Sequence, residues 1–201
     1  MKYSVIILAG VCVLFFIIQL AIPSFTDALI LDQTSFHQPW RFVASIFLHG
    51  SPSHLLYNMF ALILFGLILE NIIGTKKFLL IFFLTGIFAN LVAVNFYSSS
   101  LGASGAIFGI IGVLTILRPT MSIFAFGLPM PLFLASIIWV IGDIITTFVP
   151  SNIGTIAHLV GLFLGILFGL LFMKNYSAKR KREGIKIPDD YMDRWENYYM
   201  K

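Results

Sequence analysis

Apolar runs of about twenty residues, separated by charges and by Pro/Gly clusters, make up most of this chain. A run of that length fits a helix that satisfies its own backbone polar groups inside lipid, where no water is available to do so. The composition agrees, with 59% of the 201 residues hydrophobic and 11% charged, against about 45–50% and about 25% in soluble domains. Such a chain lacks the polar surface to coat a water-soluble globule. That excludes a cytosolic enzyme and a disordered tail, and a disulfide scaffold is excluded because Cys12 is the single cysteine. At roughly 20 residues per span, six spans use about 120 residues, and the length admits about five to seven.

The breaks predict an all-α, polytopic membrane bundle of six helices within residues 1–174, followed by a mixed-charge cytoplasmic tail over 175–201. The first span is expected at 4–22, stopped by Pro23. Its apolar run exceeds a signal-peptide core and no Ala-x-Ala follows, so it reads as a retained span. A long polar loop over 24–52 comes next. The second span is expected at 53–73 and the third at 78–97, with Gly74 to Lys77 between them. The fourth is short, at 103–117, and ends at Arg118-Pro119. Residues 121–132 are apolar but interrupted by Gly127, Pro129 and Pro131, a place where the inner end of the fifth span, 131–149, could move. Pro150 closes that span, and the sixth runs over 154–173.

Lysine and arginine near span ends orient the bundle. With the N-terminus in the cytoplasm, the inner side carries Lys2, Lys76, Lys77, Arg118, Lys174 and the basic run from Lys179 to Arg182, and the outer side only Arg41. The second, fourth and sixth spans then run inward from the outer face. The tail reads as a solvated or headgroup-associated end, not a nucleic-acid site.

Polar side chains inside spans cost a few kcal/mol and mark function by default. Here they are His54 and Asn58, Ser104, Asp143 and His158. His54 and Asn58 are four residues apart and share one helix face. Ser104 opens the fourth span and His158 lies about one turn into the sixth, so these four fall at one depth in the outer part of the bilayer. Gly105, Gly109 and Gly112 on the fourth span, and Ala157, Gly161, Gly165 and Gly169 on the sixth, have the spacing that lets membrane helices approach closely. If those ridges meet, Ser104 and His158 come within hydrogen-bond reach. Serine needs a positioned base to become a nucleophile, and His158 is the candidate. Acyl transfer also needs oxyanion donors, which His54, Asn58 and the Ser104 amide can supply. Gly102 and Gly105 flank the serine and allow a backbone turn.

Together these residues resemble the rhomboid family of intramembrane serine proteases. Gly102-Ala103-Ser104-Gly105 is similar to its Gly-x-Ser-Gly nucleophile motif, Ala157-His158-Leu159-Val160-Gly161 to its sixth-helix histidine motif, and His54-x-x-x-Asn58 to its second-helix motif. Trp40-Arg41 matches a further signature in the first loop, and the resemblance covers roughly residues 37–173. It implies a Ser104–His158 dyad without an acidic third member, and an oxyanion hole of His54, Asn58 and the Ser104 amide. It also implies Phe108 packed on the histidine ring, Glu70 tying the second helix to the first loop, and His49 as a structural loop histidine. No cofactor or metal is implied. The expected partners are the bilayer and transmembrane protein substrates with helix-destabilising segments, cleaved in a prokaryotic plasma membrane at a site open to the outer face.

Rival chemistries fit less well. Asp143 stands near the depth of the dyad, and a triad role is weighed against a polar contact at a helix end or water-exposed cavity, which is preferred. An aspartic protease needs two carboxylates sharing a proton, and no second aspartate sits in a span. A zinc protease needs a pattern such as His-Glu-x-x-His, which His49 and His54 do not form. A rhomboid-like binding module would lack the dyad, and a transporter would show inverted repeats.

Overall fold

The computed structural model describes residues 3–148, 154–182, 194 and 198–199. Its main elements are α1 (Ser4–Ala21), α2 (Pro23–Leu29), α3 (Arg41–Ala44), α4 (Pro52–Ile73), α5 (Thr75–Ala93), α6 (Ser104–Leu117), β1 (Ser122–Ala125), β2 (Leu128–Pro131), α7 (Leu132–Thr147) and α8 (Thr155–Arg182). Four of these, α1, α4, α5 and the Thr155–Lys174 part of α8, are long and apolar enough to cross a membrane, while α6 and α7 are shorter apolar helices. The protein is a multi-pass helical membrane bundle. Its core is centred on α6, which is buried on nearly every face, together with Phe78, Ile81 and Phe82 of α5 and Leu62 and Leu69 of α4.

Several boundaries differ from those expected. Pro23 does end α1, but it also occupies the first position of α2, where its missing N–H costs nothing. The first loop is largely ordered into α2, α3 and two 3₁₀ turns, Gln33–Phe36 and Ser45–Phe47. The third span starts at Thr75, three residues early, and ends at Ala93. The connection expected over 74–77 is therefore Gly74 alone, whose φ of 87° closes α4 and opens α5 in one residue. Lys77 is accommodated in the first turn of α5 by placing its ammonium over the Phe172 ring, 5.2 Å from the centroid. Residues 122–131 form an antiparallel hairpin, with Ile123 opposite Met130 and Ala125 opposite Leu128. Its turn residues Phe126 and Gly127 both have positive φ, 54° and 81°, the signature of a type I′ turn. Pro129 and Pro131 thus lie in a strand and do not loosen a helix. The sixth span is Thr155–Lys174, but its helix does not stop there. The helix continues to Arg182, because Lys and Arg are good helix formers and a helix leaving lipid has no reason to end where its apolar run does. Pro150 lies outside the described residues, as does most of the 183–201 tail.

Between apolar helices in lipid there is no hydrophobic driving force, so close packing must hold them together. The pair α6 and α8 is the most extensive contact in the bundle. A Cβ placed on Gly161 would strike the carbonyl of Gly105, one on Gly165 the carbonyl of Gly109, and one on Gly112 the Leu162 carbonyl. The two backbones touch. On its other side α6 meets α5, where a Cβ on Gly105 would come within 2.7 Å of the Ala89 Cβ. Glu70, 1% exposed, closes the end of the bundle remote from these glycines by accepting from the hydroxyls of Ser4 at 2.5 Å and Thr75 at 2.7 Å. It ties α4 to α1 and α5. It lies about 27 Å along α4 from Pro52, so it cannot reach the first loop as the resemblance implied.

The backbone contact makes a direct prediction. Gly161→Ala should force α6 and α8 apart and destabilise the protein by about 1–3 kcal/mol, read as a shift in the denaturant midpoint in micelles. Gly10→Ala, where nothing lies within 4 Å, should be neutral or mildly stabilising.

Candidate active site

The N-terminal ends of α4, α6 and α8 meet at one end of the bundle, called here the site end. They enclose a cavity of about 1450 Å³ lined by His54, Asn58, Ser104 and His158, with Trp139 and Phe126 farther along it. All four residues singled out by shared depth therefore face one space.

Local chemistry places each of them. Ser51 caps α4 by accepting from the His54 N–H at 3.1 Å, and Pro52 takes the first helical position. Asn58, 6% exposed, donates through its amide nitrogen to the His54 carbonyl one turn back at 2.9 Å, which fixes its rotamer. Gly102 has φ of 119°, and a Cβ there would come within 2.8 Å of the His54 ring. Glycine is thus required twice over, for the backbone region and for the imidazole lying against it. The Gly102 N–H donates to the Ser45 carbonyl at 2.9 Å, anchoring the approach to the serine on the first loop. Ser104 is the first residue of α6, so its amide is one of the N–H groups that a helix start leaves without an intrahelical partner.

His158 sits in the second turn of α8 and is held from two sides. The Phe108 ring stacks on it, with centroids 4.4 Å apart and planes 7° from parallel. Phe108 in turn meets Trp139 of α7, which also contacts Phe65 and Phe126. On the other side the Asp143 carboxylate faces Nδ1 of His158, with its oxygens at 3.4 Å and 3.3 Å. No hydrogen bond joins Ser104 to His158 among the described residues. Both line the same cavity.

The first loop covers the site end. Arg41, 8% exposed, donates to the Asp32 carboxylate at 2.9 Å and the Ile30 carbonyl at 3.2 Å, while the neighbouring Trp40 is exposed. The Thr34 hydroxyl, with Arg41 beside it, holds the Asp32 carboxyl below its usual range. His49 is buried at 1% exposure, its N–H donating to Gln19 at 3.0 Å and its ring edge-on to His54 at 5.1 Å. Burial, with the nearby charge of His54, pushes its pKa down to about 4. Two loop anchors escaped sequence reasoning. Asn90 donates to the Phe42 carbonyl at 2.8 Å and the Ser45 hydroxyl at 3.0 Å, and Gln19 bonds both ways with the His49 backbone. Each is a lone amide in an apolar run, and only its cost in lipid distinguishes it. A third group, the hydroxyls of Tyr97, Thr155 and Thr147, links α5, α8 and α7 at the site end.

A hydroxyl at a helix start, an aromatic-stacked imidazole and a paired His/Asn face line one cavity in a multi-pass membrane bundle. The chain belongs to the rhomboid family, whose Rhomboid domain model matches residues 37–175. YdcA of Bacillus subtilis is 35% identical over 136 residues, 66% of each chain. RHOMBOID-like protein 1 of Arabidopsis thaliana is 31% identical over 140 residues, 68% of this chain and 35% of the plant protein. The rhomboid protease GlpG of Haemophilus influenzae is 26% identical over 137 residues, 67% of this chain and 70% of that one. The chain thus spans at most 66% of the first relative's length and 35% of the second's.

His49 generates a pH prediction. Its folded pKa of about 4 lies below the unfolded value of about 6.5, so the unfolded state takes up its proton first. Stability should be full above about pH 6.5 and fall progressively as pH drops toward 4. His49→Gln should flatten that part of the profile, measured as denaturant midpoint against pH.

Proposed function

We propose that this chain is an intramembrane serine endopeptidase that cleaves transmembrane segments of other membrane proteins. The observation that carries the reading is the convergence of Ser104, His158, His54 and Asn58 on one cavity, in a family that includes a relative named as a rhomboid protease. Ser104 Oγ attacks the scissile carbonyl while His158 takes its proton. The imidazolium then protonates the leaving amine, and water repeats the sequence on the acyl-enzyme. The Ser104 N–H, the Asn58 amide and the His54 ring are the donors for the oxyanion.

The bundle suits such chemistry in lipid. Lys76, Lys77, Arg118 and Lys174 lie toward the end opposite the site, which orients that end to the cytoplasm and the site to the outer face. The 14 residues of α6 span about 21 Å, against about 30 Å of hydrocarbon. Ser104 thus opens its helix below the outer surface, and the cavity brings water down to it. The same cavity runs between α4 and α7 past Tyr57, Phe60 and Trp139, and this apolar flank suits a segment arriving sideways from lipid. A substrate helix hides its carbonyls in i to i+4 bonds, so segments with helix-destabilising residues are the ones that unwind into the site.

The protein reconstituted in vesicles with a transmembrane substrate should cleave it. Ser104→Ala and His158→Ala should each abolish both cleavage and labelling by a fluorophosphonate, whereas cleavage surviving Ser104→Ala would refute the mechanism. Asn58→Ala should lower kcat by about 10²–10³ as an oxyanion donor while leaving the unfolding midpoint near that of the wild type. Equal turnover would remove Asn58 from the site.

A further inference from the structure

Asp143 is the one acidic side chain in α7, and it lies in an apolar helix where an ionised carboxylate costs a few kcal/mol unless it is paired. Its surroundings offer little choice of partner. The hydroxyls of Thr146 and Thr147 bond to the Asp143 backbone carbonyl, not to its carboxylate. The only described polar group facing the carboxylate is Nδ1 of His158, and both side chains are 13% exposed. Phe108 stacked on the ring restricts its rotation. With Nδ1 turned to Asp143, the nitrogen left for Ser104 is Nε2.

We infer that Asp143 is a positioning residue for the proposed base, an inference that rests on the peptidase reading. The carboxylate accepts from Nδ1–H and so holds the tautomer whose Nε2 is unprotonated. When Ser104 Oγ bonds to the substrate carbonyl carbon, its proton moves to Nε2 and the carbonyl π pair to oxygen. The imidazolium that results lies against a carboxylate that stays ionised. As the C–N bond breaks, Nε2 returns the proton to the leaving amine. Asp143 on α7 thus orients the histidine of the Ser104–His158 dyad that the family resemblance implies.

The ionisable groups around His158 come from every helix packed against it. Asp143 stands on α7, His54 on α4 is close enough for its charge to couple to His158, and Tyr97, following α5, bonds to Thr155 one turn away. The uncharged Ser104 comes from α6. Asp143 is the only anion among these.

The experiment uses the full chain in vesicles with a transmembrane substrate. Asp143→Asn keeps the shape and removes the charge. It should lower kcat about 10–10²-fold with KM nearly unchanged, while Asp143→Glu should recover much of the rate. Wild-type kcat in Asp143→Asn would overturn the inference. Cleavage that persists in Ser104→Ala would instead sink the peptidase reading, so the two failures are distinct. A second measurement needs no turnover. The chain has four histidines, so ¹⁵N-imidazole spectra of the Ser104→Ala protein can be assigned with His158→Ala as reference. His158 should be the Nδ1–H tautomer with Asp143 present. The Nε2–H tautomer there would refute the assignment even if Asp143→Asn failed to fold.

Discussion

The separation of α6 and α8 is set by backbone touching backbone, and the geometry of the site hangs on that contact. Side chains between two helices leave slack, since rotamers adjust and gaps relax. Gly161 against the Gly105 carbonyl and Gly165 against that of Gly109 leave none. Ser104 opens α6 one residue before Gly105, and His158 precedes Gly161 by one turn. The serine and the histidine are thus carried at one end of the most extensive helix contact among the described residues. In lipid, where burial of apolar surface drives no helix association, such a joint is also the economical way to hold a bundle together.

The opposite wall of the cavity is built differently. Only Leu132, Ala135 and Ser136 of α7 are buried, so most of that helix is outside the core. It is held along its length by polar contacts: Ser136 to Thr115 of α6 at 2.7 Å, Asp143 to His158, and Thr147 to Thr155 of α8 at 2.8 Å. One wall is fixed by backbone sterics and the other by a few directional bonds between short side chains. Ser104 and His158 stand on the sterically fixed side.

How much of this could be read from the sequence depended on whether the signal was local. The six apolar helices were legible because apolar runs and their breaks are local, and the His54/Asn58, Ser104 and His158 set stood out because polar groups are scarce. The misplaced boundaries occur where compact turn chemistry mimics something longer. Lys76 and Lys77 look like loop, yet long side chains can leave a first turn sideways. Gly127 and Pro129 look like a helix hinge, yet they complete a hairpin whose partner strand has no polar alternation to reveal it. Glu70 failed for a different reason, because a resemblance assigned it a partner that its distance along α4 forbids. The depth of Asp143 was readable from its place in the fifth span. Its partner was not, since 15 residues and a break in the helix separate it from His158 and only the packing of α7 on α8 joins them.

The aromatic contacts that brace His158 have an optical consequence. The chain holds three tryptophans, and one of them, Trp139, stands in the cavity wall on α7, edge-on to the Phe108 ring that stacks on His158. An indole in that position emits according to whether its surroundings are lipid, water or a bound segment. The wall on α7 therefore contains a fluorophore of its own, one ring removed from the imidazole.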